Sequence, residues 1–345
     1  MSSTHMSPTT ERAIFARLDR DLERVRQSMM NNAAVEIRQV ETPFAHYVKR
    51  PGRLFRPVLT LVSAYVFDAP RSEPQRERII SAAAGIELLH LATLCHDDLC
   101  DNAATRRGYP TVNAAFGDDA AILSGDYLLA CSTSVFATLG DHGMRVAGDI
   151  LKEICVGQML EMIDVNNLDR SEEAYFAVIS RKTAALMAAC ARVGSALAGA
   201  AERDQELMSS FGHSLGMAFQ IWDDVLDIWA PAGVTGKPPG KDIENGIYSL
   251  PVIYALREDQ TELPGLLQQR PLDENQYDKI VRILDRLQAR ERAVETAQNF
   301  IAGALSGVQE LGSSVDAVAP LIDVARRLMP EIDHLLPGQP TREAS

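Results

Sequence analysis

Proline placement is the strongest constraint on the fold of this chain. Residues 75–109 contain none, and neither do residues 111–230. Proline removes a backbone donor and clashes with the preceding helical turn, so long proline-free intervals are where uninterrupted helices can run. Both intervals are rich in Ala, Leu, Met, Glu and Ile. Ile79, Ala83, Ile86, Leu89 and Leu94 recur at the spacing of an amphipathic or buried helix. Turn signals fall at Arg107-Gly108-Tyr109-Pro110, Gly140-Asp141-His142-Gly143, Asn166-Asn167 and residues 231–240, and residues 258–275, with Pro264 and Pro271, read as a loop between helices. No alternating, β-branched stretch is long enough to demand a sheet. The expectation is a single all-α domain over residues 11–336, with loose tails at residues 1–10 and 337–345.

The chain has 345 residues, of which 46% are hydrophobic, enough for one large domain or two ordinary ones. Its 47 acidic against 34 basic residues give a net charge of -13, which argues against a nucleic-acid binder held by phosphate contacts. Such a surface also repels anionic substrates unless cations or metal are concentrated locally. Cys95, Cys100, Cys131, Cys155 and Cys190 form no CxxC pair, so neither a zinc cluster nor a disulfide framework is indicated, and a reduced cytoplasm fits best. Residues 1–10 lack the order of a secretory signal. No uninterrupted apolar run reaches the roughly 18 residues of a transmembrane segment.

The acids are concentrated. Asp97-Asp98-Leu99-Cys100-Asp101 and Asp223-Asp224-Val225-Leu226-Asp227 have the same DDxxD form. On a helix, residues i and i+4 lie one above the other, so Asp97 and Asp101 share a face, as do Asp223 and Asp227. Like charges at that spacing destabilise an isolated helix unless a cation compensates. The flanks are apolar, with Leu88, Leu89, Leu91 and Leu94 before the first cluster and Met217, Phe219, Ile221, Trp222 and Ile228 around the second. Carboxylates in such a setting are expected to be paired or metal-bound, and oxygen-only ligands favour Mg²⁺. Cations stand near both clusters in sequence: Arg53 and Arg56, Arg106 and Arg107, Lys182 beside Thr183, then Lys237 and Lys241. Together they describe a site for two diphosphates.

With these residues in view, the chain resembles the trans-isoprenyl diphosphate synthases, or polyprenyl synthetases, from about Gly52 to Leu256. The stretch from Glu87 through Asp97-Asp98 to Arg106-Arg107-Gly108 is similar to the family's first aspartate-rich motif, and Phe219 to Asp227 to its second. Thr235-Gly236-Lys237-Pro238 and Ser249-Leu250-Pro251 resemble the segment that follows. The resemblance implies an all-α bundle of isoprenoid-synthase type around a deep central cavity, with the two motifs at its mouth. It implies a homodimer, and about three Mg²⁺ ions with substrate bound. Asp97, Asp101 and Asp223 would be direct metal ligands, with Asp98, Asp224 and Asp227 nearby or water-mediated. Arg106, Lys182, Thr183, Gln220 and Lys237 would hold the allylic diphosphate (dimethylallyl, geranyl, farnesyl or geranylgeranyl), and Arg53, Arg56, His90 and Arg107 would hold isopentenyl diphosphate. His90 and Asp97 are seven apart, two helical turns, and so face the same way.

Two positions depart from the family pattern. Arg53 stands where lysine is common, and Gly246-Ile247 where a Gly-Lys often precedes the Ser-Leu-Pro element. Neither touches the aspartates. The implied reaction ionises the allylic C–O bond, the double bond of isopentenyl diphosphate attacks the resulting cation, and released pyrophosphate removes the proton. No side-chain nucleophile and base pair is needed.

Product length has its own signal. The growing hydrocarbon needs an apolar shaft below the metal site, and the residues one helical turn before Asp97 are Ala92 and Thr93, both small. Short-chain members often place an aromatic there. Its absence, and the likeness of residues 92–101 and 111–117 to long-chain members, points to products of about C30 to C40 or longer if the shaft follows the helix. Phe136 is either a deeper floor or a plain core aromatic. The alternatives are a short-chain farnesyl or geranylgeranyl diphosphate synthase and a class I terpene cyclase. The cyclase's second motif usually carries Asn/Asp, Ser/Thr and Glu at wider spacing, whereas this chain repeats DDxxD.

Overall fold

The structure, a computed structural model, describes residues 8–231, 239–309, 311 and 321. Among these the chain is helical almost throughout: α1 (Pro8–Asn32), α2 (Arg38–Val48), α3 (Phe55–Tyr65), α4 (Glu73–Cys100), α5 (Val112–Phe116), α6 (Asp118–Ala137), α7 (Gly140–Ile163), α8 (Glu172–Ile179), a π-helical turn (Ser180–Ala184), α9 (Ala185–Ala198) and α10 (Glu202–Trp229). Then follow α11 (Lys241–Glu244), α12 (Leu250–Glu258), α13 (Leu263–Leu267), α14 (Glu274–Arg286) and α15 (Ala289–Gln309). The all-α reading holds.

Three local expectations change. Residues 8–10, assigned to an N-terminal tail, are the first turn of α1, with Pro8 at the position where its missing N–H costs nothing. The loop expected over residues 258–275 contains α13, started by Pro264 in its first turn. A two-stranded antiparallel ribbon, β1 (Thr105–Arg106) with β2 (Tyr109–Pro110), is too short to leave an alternation in the sequence. Its turn residues, Arg107 and Gly108, have φ of 53° and 78°, the hand that matches the twist of two joined strands. The tail expected at residues 337–345 lies outside the described residues.

The described chain divides into two compact units, one from residues within 1–150, 187–212 and 305–333, the other from residues within 151–186, 213–304 and 334–345. In the first, α4 is the packing axis for α1, α3 and α6. Ser72 caps it by accepting from the Gln75 amide, with Pro74 in the first turn. Leu88, Leu89 and Leu91 are at most 1% exposed, a burial each worth about 1.5–3 kcal/mol. Gly85 lets α6 approach closely: a Cβ there would stand 3.0 Å from Val135 Cγ1 and 3.3 Å from Phe136 Cε2, and Ser132 Oγ donates to the Gly85 carbonyl at 2.8 Å. In the second unit, Ile228, Tyr248, Val252, Leu263, Ile280 and Leu284 form a buried core. The Asp273/Gln276 capping box fixes the start of α14.

By length and composition, α4 and α6 are each apolar enough to cross a membrane, although isolated polar residues break their uninterrupted runs. The apolar window of α4 is 83% buried, as in a core helix, whereas that of α6 is 44% buried.

Candidate active-site residues

The first acidic motif stands at the C-terminus of α4. Asp101 closes that helix with α-helical backbone angles, and its amide donates to the Asp97 carbonyl at 2.9 Å, so Asp97 and Asp101 sit one turn apart. Both are half-buried. Asp98, about 100° further round the helix, points elsewhere and is 1% exposed. The Tyr47 hydroxyl, from α2, donates to its Oδ2, while Arg106 Nε and Nη2 reach its Oδ1 at 2.7 Å and 2.6 Å.

The ribbon after α4 carries Arg106 and Arg107 back toward the loop before α3. The Arg107 guanidinium lies against Gly52 so closely that a Cβ at 52 would collide with it, and Gly52 has φ of 72°. The ribbon is tied to α2 by His46 Nε2 on the Pro110 carbonyl at 2.7 Å and by Arg50, whose guanidinium lies 4.6 Å from the centre of the Tyr109 ring. His90 is buried, and desolvation first, then Arg56, Arg107 and Arg106, hold its pKa well below the ordinary value. It is therefore a neutral hydrogen-bonding group near three arginines. Arg56 is half-buried and Arg53 exposed.

The sequence reading passed over Glu87, one turn before His90. It is 2% exposed, and burial pushes its carboxyl up to about 7 against the pull of Arg56 and Arg107. Its Oε2 and Arg56 Nε are both buried without a hydrogen-bond partner. The available signal was a lone acid inside Ile86-Glu87-Leu88-Leu89, since a charge in an apolar helix needs compensation.

The second acidic motif stands at the C-terminus of α10. Asp223 is exposed, whereas Asp224 and Asp227 are 6% and 2% exposed. The Tyr175 hydroxyl donates to Asp224 Oδ2 at 2.6 Å, and Gln220 Nε2 donates to Oδ1 at 2.9 Å. Burial raises the Asp224 carboxyl to about 7; these two donors oppose the rise, and Asp223 and Asp227 add to it. Asp227 Oδ2 accepts from the Asp242 amide at 3.2 Å, which fixes the chain after α10. Lys182 and Thr183 lie in the π-helical turn, a local widening that often marks functional positions. Thr183 Oγ1 donates to Gln220 Oε1 at 2.8 Å, and Lys182 Nζ pairs with Glu161 of α7. Ser180, at the start of the turn, is joined to His213 Nε2 at 2.8 Å. The structure thus brings Lys182, Thr183, Gln220 and Asp224 together, while Lys237 lies outside the described residues. Ile247, where a lysine was absent, follows Gly246, whose carbonyl accepts from the Asn166 amide at 2.8 Å.

Of the residues proposed to set product length, Ala92 is 2% exposed and Thr93 half-buried with its hydroxyl on the His90 carbonyl at 2.9 Å. Phe136 is fully buried against α4 at Gly85, twelve residues or about 18 Å along the helix from Asp97.

Among the described residues no three His, Cys, Asp or Glu side chains gather as a metal-holding set. Each motif offers at most an oxygen pair one turn apart. This donor set fits Mg²⁺, which takes one or two carboxylates and completes its shell with water and substrate phosphate oxygens, and does not suit an ion needing an all-protein cage.

Residues 37–284 match the family model described as Polyprenyl synthetase. The chain belongs to the polyprenyl synthetase family. It is a prenyltransferase, a prenyl diphosphate synthase. It is 38% identical over 271 residues to the nonaprenyl diphosphate synthase of Mycobacterium tuberculosis, covering 76% of this chain and 78% of that one. It is 32% identical over 295 residues to heptaprenyl diphosphate synthase component 2 of Geobacillus stearothermophilus, covering 85% and 91%. The crystal structure of geranylgeranyl pyrophosphate synthase from Corynebacterium glutamicum, complexed with calcium and isoprenyl diphosphate, superposes with a TM-score of 0.77 at 28% identity, covering 94% and 99%. These relatives carry product names from geranylgeranyl to nonaprenyl, so family membership leaves chain length open.

Proposed function

We propose that the protein condenses isopentenyl diphosphate with an allylic diphosphate, using Mg²⁺, and extends the chain to an all-trans polyprenyl diphosphate of medium or long length. The observation that carries this reading is the surroundings of each acidic motif, where accessible aspartates stand with cations and donors suited to diphosphate. Asp97 and Asp101 come with Arg56, Arg106, Arg107 and neutral His90, and Asp223 with Lys182, Thr183 and Gln220. Asp97, Asp101 and Asp223 would hold the metal, which when bound neutralises charge developing on the leaving diphosphate. Arg106, Lys182, Thr183 and Gln220 bind the allylic diphosphate. Arg53, Arg56 and Arg107 supply charge to isopentenyl diphosphate, and His90 a hydrogen bond. The calcium and isoprenyl diphosphate of the Corynebacterium enzyme support the divalent-metal part of this reading.

The length assignment rests on Ala92, a small buried residue shortly before Asp97, where short-chain members of the family often carry an aromatic. We also assign the protein to the cytoplasm, in keeping with its five free thiols, and as a homodimer. The apolar, largely uncovered α6, with Ile122 and Leu123 at 43% and 62% exposed, supports self-association. The two-component Geobacillus relative makes a different subunit the alternative occupant.

Incubation with labelled isopentenyl diphosphate, Mg²⁺ and each allylic primer in turn, with chromatography of the products and light scattering of the protein, tests these assignments. Chains longer than geranylgeranyl from the protein alone, running as a dimer, are the expected result. Farnesyl or geranylgeranyl products alone overturn the length assignment, and activity only with an added subunit overturns the homodimer.

A further inference from the structure

The two DDxxD motifs share a feature that their sequences do not show. In each, the second aspartate is buried and both of its oxygens are already engaged by the protein. Asp98 receives Tyr47 on Oδ2 and Arg106 on Oδ1. Asp224 receives Tyr175 on Oδ2 and Gln220 on Oδ1. The tyrosines come from different helices, α2 and α8, and are themselves 7% and 2% exposed.

We infer that Tyr47 and Tyr175 are positioning residues for the metal-binding aspartates, acting through Asp98 and Asp224 as struts. An oxygen has a second lone pair, but at 1% and 6% exposure neither carboxylate presents it to an entering ion. Each strut instead fixes the rotation of its helix end. With Asp224 pinned to α8, Asp223 is held at a set direction, because successive residues differ by about 100° around the axis. The second strut reaches further: Gln220 accepts from Thr183, so the Tyr175 hydroxyl, Asp224, Gln220 and Thr183 form one chain ending beside Lys182. The same hydrogen bonds that orient the acidic rim therefore place the diphosphate cation. Charge-assisted bonds in a buried chain are the stronger kind, and a missing donor leaves an unsatisfied carboxylate.

This inference rests on the metal reading above, and its test separates the two. Tyr175→Phe, Tyr47→Phe, Asp224→Asn and Asp223→Asn are compared with the parent protein by Mn²⁺ binding in the presence of inorganic pyrophosphate, followed by electron paramagnetic resonance, and by kcat and KM, with circular dichroism to check folding. The amide at 224 still accepts from Tyr175 and, after a flip of Gln220, pairs with it. Asp224→Asn is thus expected to keep the parent's number of bound ions, and Tyr175→Phe to keep the number but weaken binding about tenfold. KM for the allylic substrate should rise in Tyr175→Phe while KM for isopentenyl diphosphate does not. Asp223→Asn should lose an ion. Loss of an ion in Asp224→Asn equal to that in Asp223→Asn makes Asp224 a ligand and overturns the inference. So does parent-like Mn²⁺ affinity and turnover in folded Tyr175→Phe and Tyr47→Phe. If Asp223→Asn itself keeps every ion and full turnover, the metal reading fails instead.

Discussion

Gly157 of α7 lies against the backbone of Lys182: a Cβ on residue 157 would stand 2.6 Å from the Lys182 amide nitrogen and 3.0 Å from its Cα. Only glycine allows the π-helical turn to sit this close. Gly157→Ala must displace backbone rather than a flexible side-chain end, which costs about 1–3 kcal/mol. The expected outcome is a lower melting temperature together with a raised KM for the allylic diphosphate and an unchanged KM for isopentenyl diphosphate. Steady-state kinetics on the folded variant check it, and an unaltered allylic KM would separate Lys182 from substrate binding.

Asp97→Ala and Asp223→Ala each remove one carboxylate from an acidic pair without disturbing the buried struts. Turnover should fall at least about a hundredfold in both, the scale of losing preorganised charge stabilisation. Melting temperature should stay level or rise, because like charges at i and i+4 repel. Near-normal turnover in either variant would remove that residue from the metal rim.

Glu87 gives the substrate-free protein a pH signature. Its folded-state carboxyl is raised to about 7 from an ordinary 4.5, so the fold holds a proton that the unfolded chain releases. The stabilisation is complete below pH 4.5 and is lost as pH rises through about 7. Glu87→Gln keeps the shape and removes the titration. The melting temperature of the parent should fall relative to Glu87→Gln across that window, and parallel curves for the two proteins would show that Glu87 titrates normally.

Ala92→Phe places an aromatic ring five residues before the first metal-binding aspartate, at a position only 2% exposed. The product distribution should shift to shorter chains while the enzyme still turns over. Overpacking costs about 1–3 kcal/mol, so product length is compared at a temperature where the variant remains folded. An unchanged distribution would show that residue 92 does not border the growing chain.

What the sequence alone determined follows from local geometry. Proline-free intervals became α4, α6, α7, α9 and α10, and the i, i+4 spacing put Asp97 and Asp101 one turn apart, because helix period is a property of neighbouring residues. Tertiary structure decided everything that depends on residues distant in the chain. Asp97 and Asp98 look alike in sequence, yet 98 is buried beneath Tyr47, fifty-one positions earlier, and Tyr175 reaches Asp224 across forty-nine. The contact that sets the Arg107 guanidinium on Gly52 was likewise invisible, whereas Glu87 left a trace as a lone acid in an apolar run. A buried carboxylate must be satisfied, but which helix supplies the donor is fixed only when the helices pack, and no periodicity in the chain records that choice.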